Sequence, residues 1–361
     1  MSVNRELADD LRLALEAGCL DLSKMDGKTI LVTGATGLIG STLIRLLGRY
    51  AETAHSQPRI LALVRSQEKA ERVFGGELME QLDCVVGDVT VPMTIDGPVD
   101  YIIHGASQTS SRSFVSEPVE TIQTALRGTA NMLELAREKK VKSFVYLSSM
   151  EVYGAPQTEG KITEQSPTNL DSMAVRSSYP ESKRACEALC AAYWAEYGVP
   201  AKVVRLTQTI GPGVAYDDGR VFAEFARCVI EGRDIVLHTL GQTKRSYLYT
   251  VDAVTAILTV LLAGENGQAY NAANEDTYCS IVDLGRAALA HSQDRGLTIR
   301  IEADNDGTRG YAPTLHMNLD TSKLRRLGWR PAGDLSHMFE TLIASMRHDH
   351  EMVSRRDTDS N

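Results

Sequence analysis

ILVTGATGLIG, residues 30–40, decides how the rest of the chain is read. Three apolar residues, Ile30, Leu31 and Val32, run into a loop with glycine at 34, 37 and 40, and the loop passes directly into the helical pattern Ser41–Tyr50. That order reads as strand, phosphate loop and helix. Gly34 permits a tight turn, Gly37 lets backbone N–H groups approach a pyrophosphate, and Gly40 lets helix and strand pack closely, with the anion at the positive helix end. Gly34, Thr36, Gly37, Leu38 and Ile39 are therefore the expected contacts of a dinucleotide. The spacing is G-x-x-G-x-x-G, which an ordinary strand-to-helix turn can also show, so the residues downstream must decide.

A chain of 361 residues suits one large α/β domain or two closely joined ones. With 43% hydrophobic and 24% charged residues it has the composition of a soluble globular enzyme, and a net charge of −9 opposes a nucleic-acid or anionic-membrane surface. The cysteines (Cys19, Cys84, Cys186, Cys190, Cys228, Cys279) make no C-x-x-C pair and no disulfide framework. Near the start, Asp9, Asp10 and Glu16 oppose a signal peptide, so a cytoplasmic setting is expected. No apolar run approaches the roughly 20 residues of a membrane span. No metal-ligand cluster is visible, and His348 and His350 read as tail residues.

Leu7, Leu11, Ala14 and Leu15 recur at helical spacing, predicting an amphipathic helix over 4–17. RILALVRS (59–66) reads as the second strand. At its end Val64, Arg65 and Ser66 stand where a carboxylate would bind a ribose 2′-OH; Arg65 can pair with a 2′-phosphate, favouring NADP over NAD, or stack on adenine with either. LDCVVGDVT (82–90) supplies a third strand, with Asp88 and Val89 towards the adenine. VDYIIHGASQTSS (99–111) is a fourth, after which Gly105 and Ala106 let the backbone approach the cofactor while Ser107 and Gln108 face the pocket.

A helix over Pro118–Lys139 and a strand over 144–148 lead into SSMEVYG (148–154). In the helix that follows, Tyr179 and Lys183 lie one turn apart, where an ammonium beside a phenol favours the phenolate that a sugar-hydroxyl base requires. After the strand Ala201–Leu206 the pattern breaks at GPG (211–213). The helix Val221–Glu231 and residues 276–315 read as a smaller lobe, and QAYNAAN (268–274) as a return to the main sheet. The expected fold is α/β: a Rossmann-like doubly wound parallel sheet with a smaller interleaved C-terminal substrate lobe. In residues this is an N-terminal extension over 1–26, a dinucleotide domain over 27–207 to which 240–275 returns, a lobe built from 208–239 and 276–345, and a mobile tail over 346–361.

The motifs TGATGLIG (33–40), GDVT (87–90), HGASQ (104–108), SSMEVYG, YPESK (179–183), RLTQTIGPG (205–213), TKRSYLYTVD (243–252) and LDTSKLRRLGW (319–329) occur in this order. Over residues 27–345 the chain resembles an extended short-chain dehydrogenase/reductase of the nucleotide-sugar epimerase/dehydratase family. The resemblance implies a tightly bound NAD or NADP that oxidises a nucleotide-diphosphate sugar at C4 and later returns the hydride. It implies Tyr179 as base, Lys183 as the group that lowers its pKa and holds the nicotinamide ribose, and Ser149 on the reacting oxygen. Arg245 would grip the nucleotide diphosphate, with Gln108, Ser149 and Gln208 also on the substrate. A homodimer through helices 118–139 and 179–197 is implied as well.

Glu151 divides the outcomes. In this family simple C4 epimerases usually have a small or hydroxyl residue there, whereas 4,6-dehydratases and glucuronate decarboxylases carry glutamate, which can manage the C5 proton or decarboxylation. Met150 stands where dehydratases keep an acid, and RSSYPESKR (176–184) is closer to the decarboxylase pattern. The arginine that decarboxylases direct at the sugar carboxylate has no clear counterpart; Arg309 is the nearest candidate. Ala125, Gln208, Ile210 and Arg65 also depart from the family pattern. The alternatives are a C4 epimerase of a nucleotide hexose, an NADPH-dependent keto-sugar reductase, and a cofactor-binding regulatory module without chemistry.

Overall fold

The computed structural model describes residues 5–17, 20–156, 160–303 and 314–359; the expectations at Cys19 and Arg309 lie outside them. Six strands come first: β1 (Thr29–Thr33), β2 (Arg59–Val64), β3 (Leu82–Val86), β4 (Tyr101–His104), β5 (Ser143–Ser149) and β6 (Ala201–Leu206). The chain then leaves the sheet for β7 (Gln208–Ile210), β8 (Ile235–Leu237) and β9 (Lys244–Tyr249). It returns as β10 (Ala269–Ala272) and ends its strands with β11 (Asn274–Ser280), β12 (Ile299–Ile301) and β13 (His316–Met317).

The main sheet has the order β10-β6-β5-β4-β1-β2-β3, with every pairing parallel. Its strands read as continuous apolar runs because helices cover both faces, and all five residues of β1 are buried. One core includes Ile30, Leu43 and Ile257, the other Leu31, Met132 and Cys186. Sheet order reverses between β2 and β4 on either side of β1. In such folds ligands bind in the crevice beyond the carboxyl ends of these strands.

The smaller sheet runs β11-β9-β13 with β7 also paired to β9, and β12 pairs separately with β8. Residues 240–275 therefore divide. β9 belongs to the second sheet, while the helix Thr250–Ala263 lies in the first core and β10 forms the edge of the first sheet. The N-terminal helix Arg5–Glu16 buries Leu7 and Leu11 in that same core. Residues of the expected tail continue the helix Leu335–Asp359, in which Met346 is buried and His350 stacks on Tyr216 with ring centroids 4.4 Å apart. Among the described residues no helix is long and apolar enough to cross a membrane.

Trp329 of the LGW motif joins the two parts. It is fully buried, and its Nε1–H lies 3.1 Å from Thr255 Oγ1 and 3.3 Å from the Asp252 carbonyl. The Asp252 carboxylate in turn accepts the N–H groups of Ala332 and Gly333 at 3.0 and 2.9 Å. Trp329→Ala leaves a cavity under the helix Thr250–Ala263 and is expected to lower unfolding free energy by about 3–5 kcal/mol. Urea unfolding measures this, and a loss below about 1 kcal/mol would show that the indole does not hold the segments together.

Candidate active site

The loop after β1 is shaped by missing side chains. Gly34 has φ +69°, and a Cβ on it would lie 2.8 Å from the carbonyl carbon of Gly105 beyond β4. A Cβ on Gly40 would lie 2.2 Å from the Gly34 oxygen. Gly37 caps the 16-residue helix Leu38–Thr53 without a side chain over its first turn, where Leu38 and Ile39 follow. The N–H groups there are open to a phosphate, and the Ser107 hydroxyl, buried without a partner among the described residues, faces the same need. Thr36 is half-buried in this turn and Ala106 is held by its N–H on Thr33 Oγ1 at 3.1 Å. These residues fit a dinucleotide.

Arg65 is exposed just beyond β2, and Ser66 caps the next helix by accepting the Lys69 N–H at 3.1 Å. Asp88 is largely committed to its own loop. One carboxylate oxygen takes both the N–H and the hydroxyl of Thr90 at 2.8 Å, and these bonds hold the carboxyl below its usual range. Val89 is buried against Gly128.

Ser149 ends β5, and its Oγ accepts the Glu151 N–H at 3.2 Å. Tyr179 and Lys183 sit side by side on the buried start of the helix Ser178–Tyr197. The Tyr179 ring stacks on Phe114 with centroids 4.2 Å apart and planes 11° apart. Lys183 donates from Nζ to the Leu147 carbonyl at 2.7 Å, and its cation lies 5.7 Å from the Tyr179 ring centroid. Burial lowers Lys183 to about 8. Burial first, then Glu151, raises the Tyr179 phenol, while a hydrogen bond with Ser149 and the charge of Arg176 pull it down. Ser149 and Arg176 thus act on the phenol together, and Lys183 keeps two further N–H donors beyond the one on the Leu147 carbonyl.

Arg176 was not singled out from the sequence. It lies in the turn Val175–Ser177, and its Nη2 is 3.0 Å from Glu151 Oε2, with the two side chains 44% and 34% exposed. Its guanidinium stands 4.8 Å over the Phe114 ring that stacks on Tyr179. The signal was present three residues before Tyr179, but nothing local named its partner. Met150 is buried with its sulfur 3.1 Å from Thr207 Oγ1, whose hydroxyl donates to the Ser246 carbonyl, so this position offers no acid.

Unpartnered polar groups gather on the second sheet. Among the described residues eight buried side-chain polar atoms lack a partner, and five of them belong to Gln208, Arg245, Ser246, Tyr247 and Thr250. They cluster on β7, β9 and the residue after it, although buried polar groups are ordinarily satisfied. Gln208 pairs with Tyr247 across these strands, two residues from Arg245, and Ile210 is buried beneath. Gln108 is half-buried in the loop after β4, beside Ser107.

A buried ion pair secures the serine-rich strand end. Glu187, one turn past Lys183, accepts the Ser148 hydroxyl at 2.6 Å and pairs with Arg205 at 2.6 Å, both partners being 13% exposed. Arg205 also donates to the Tyr153 hydroxyl at 2.8 Å, which donates to Asn271 Oδ1 at 2.7 Å on the edge strand β10.

A parallel sheet whose order reverses above an uncapped helix start is the architecture of a dinucleotide-dependent enzyme. The sequence profile of the NAD dependent epimerase/dehydratase family matches residues 30–273, and the chain belongs to that family. It is an NAD(P)-dependent enzyme of the nucleotide-sugar epimerase/dehydratase class. It is 31% identical to UDP-glucuronic acid decarboxylase 6 of Arabidopsis thaliana over 84% of each chain. It is 28% identical to UDP-glucuronic acid decarboxylase 1 of Xenopus tropicalis over 91% of this chain and 75% of that one. The fold matches that of DesIV, a dTDP-glucose 4,6-dehydratase from Streptomyces venezuelae solved with NAD, with a TM-score of 0.74 at 24% identity over 90% and 98% of the two chains.

Lys183 is cationic below about pH 8 and neutral above it, so a step that needs its charge slows as pH rises through that value. The pH–rate profile is expected to bend down near 8. In Lys183→Arg the bend should leave the accessible range, because a guanidinium stays charged. A wild-type profile that is flat past that value would remove the lysine charge from the rate-limiting step.

Proposed function

We propose that the chain decarboxylates a nucleotide-diphosphate hexuronate, UDP-glucuronate being the substrate class that its relatives' names suggest. The observation that carries this reading is the half-exposed Arg176–Glu151 pair set against the Phe114–Tyr179 stack. A guanidinium open to solvent beside the base can take a carboxylate in two-pronged fashion, and a neutral hexose offers none. Bound NAD(P) supplies the acceptor for the C4 hydride and returns it. Tyr179 accepts the C4 hydroxyl proton while Ser149 bonds the same oxygen. The resulting 4-keto group lets the C5–carboxylate bond break, carbon dioxide leaving and the electron pair passing onto the C4 oxygen as an enolate. Glu151 then manages protonation at C5. Arg245 and Gln208 hold the diphosphate side. Met150, a buried thioether with no proton to give, argues against expulsion of a C6 hydroxyl.

Arg65, exposed at the end of β2 with no carboxylate at that strand end, supports acceptance of a 2′-phosphate as well as NAD. All five described cysteines are free thiols, which supports a cytoplasmic setting.

Incubation with UDP-glucuronate is expected to release carbon dioxide. Glu151→Gln should slow steady-state turnover by about 10²–10⁴-fold while the carbon dioxide of the first turnover is still released. Arg176→Ala should lower kcat/KM by roughly 10–100-fold, the worth of a charge-assisted hydrogen bond. Turnover of UDP-glucose at C4 with no release from the uronate would instead establish an epimerase.

A homodimer is part of the same proposal. The helices Pro118–Lys139 and Ser178–Tyr197 pack together, and the second carries Ala191 and Ala195 exposed beside Trp194 and Tyr197 at 40% and 44% exposure. That outward apolar face suits a symmetric contact. Light scattering at micromolar concentration should give twice the chain mass; the single-chain mass would refute the dimer.

A further inference from the structure

His104, the last residue of β4, is fully buried and belongs to none of the groups that touch the reacting sugar. Its Nδ1 lies 2.7 Å from Thr33 Oγ1, at the residue before Gly34, and its Nε2 lies 3.3 Å from Thr129 Oγ1. Thr129 donates its only hydroxyl hydrogen to Cys186 Sγ at 3.2 Å, and Cys186 donates to the Ala125 carbonyl at 3.3 Å. At the other end Thr33 Oγ1 accepts the Ala106 N–H at 3.1 Å.

These contacts leave one consistent order of hydrogens. Thr129 has no hydrogen left for the imidazole, so it must accept, and Nε2 carries the proton. Nδ1 is then the acceptor, and the Thr33 hydroxyl donates to it. The chain therefore runs in one direction from the Ala106 N–H through Thr33, His104, Thr129 and Cys186 to the Ala125 carbonyl. It holds together only while the ring is neutral, and burial with the nearby Lys183 charge pushes the ring down to about 3.

We infer that His104 is a positioning residue: through Thr33 it locks the Gly105–Ala106 backbone against the glycine loop where the cofactor lies, and through Thr129 it ties that loop to the helix bearing Lys183. The inference needs a bound dinucleotide but not the decarboxylation reading. Its two arms differ in what they hold. The Thr33 arm shapes the cofactor cradle, whereas the Thr129 arm reaches Cys186, three residues past Lys183.

The two ring nitrogens can be replaced one at a time. The substitution His104→Asn places a carbonyl near the Nδ1 position and keeps an acceptor for Thr33; His104→Gln places an amide N–H near the Nε2 position and keeps a donor for Thr129; His104→Phe keeps ring packing alone. In titrations of the full chain followed by NADH fluorescence, His104→Phe and His104→Gln are expected to weaken binding by about tenfold or more, the scale of one net hydrogen bond at a buried site. Binding by His104→Asn should stay within about threefold of wild type, since the Thr33 arm keeps its acceptor. Thr33→Val, which removes the same arm together with the acceptor of the Ala106 N–H, should weaken binding at least as much as His104→Phe, and the double variant should be no weaker than Thr33→Val. Nitrogen NMR of the wild type should show a neutral ring protonated at Nε2 down to about pH 5, well above the value to which burial holds the ring. Wild-type affinity in His104→Phe, weaker binding in His104→Asn than in His104→Gln, additive losses in the double variant, or a ring protonated at Nδ1 would each overturn the assignment. Because these readouts are binding and ring protonation, they stand whatever sugar the enzyme converts.

Discussion

Three backbone segments meet at a point where none of them can carry a side chain. The Gly34 oxygen leaves no room for a Cβ on Gly40, and the Gly105 backbone leaves none on Gly34. That close approach brings the carboxyl ends of β1 and β4 and the start of the helix Leu38–Thr53 to one place, so the unpaired N–H groups of the helix converge where the sheet order reverses. Everything chemical in the molecule is arranged around that opening. β5 delivers Ser149 beside it, and the helix Ser178–Tyr197 delivers Tyr179 and Lys183.

Around this opening the titratable groups fall into two kinds. His104, Tyr179 and Lys183 are buried, and loss of water shifts each towards its neutral form: His104 and Lys183 down, Tyr179 up. Groups in that condition respond strongly to any charge placed next to them, because the surroundings screen little. Arg176 and Glu151 are half-exposed and meet at 3.0 Å. Water at this pair lets the partners separate and re-form at small cost. The buried set is thus tuned by its surroundings, and the wet pair is free to change partners.

The smaller lobe is held by both ends of the chain. Tyr249 at the end of β9 donates to Asp10 of the N-terminal helix, and the same carboxylate lies 3.1 Å from His337 of the C-terminal helix. Trp329 and Asp252 join the lobe to the main core a turn further on. β9, which carries Arg245, is paired on both sides, so that guanidinium is mounted on a strand rather than on a loop.

Local sequence determined the elements. Short apolar runs and the three glycines were enough for the parallel sheet and its phosphate turn, and periodicity alone placed the helices Pro118–Lys139 and Val221–Glu231. The order of short motifs was enough for the family. Partner choice was not legible, because it joins residues distant in sequence: Glu151 with Arg176 across 25 positions, Thr33 with His104 across 71, Tyr249 with Asp10 across 239. β9 reads as a strand but its sheet depends on β7 and β11, and the helical end of the chain reads as a polar tail until Met346 finds the core. Lys183 has a spacing that points to Tyr179, but its bond to the Leu147 carbonyl spans 36 positions and has no local signal. The sequence alone determined the elements and the family; tertiary contact decided which charges and hydrogens the residues share, since pairing energies depend on burial and distance that no local pattern records.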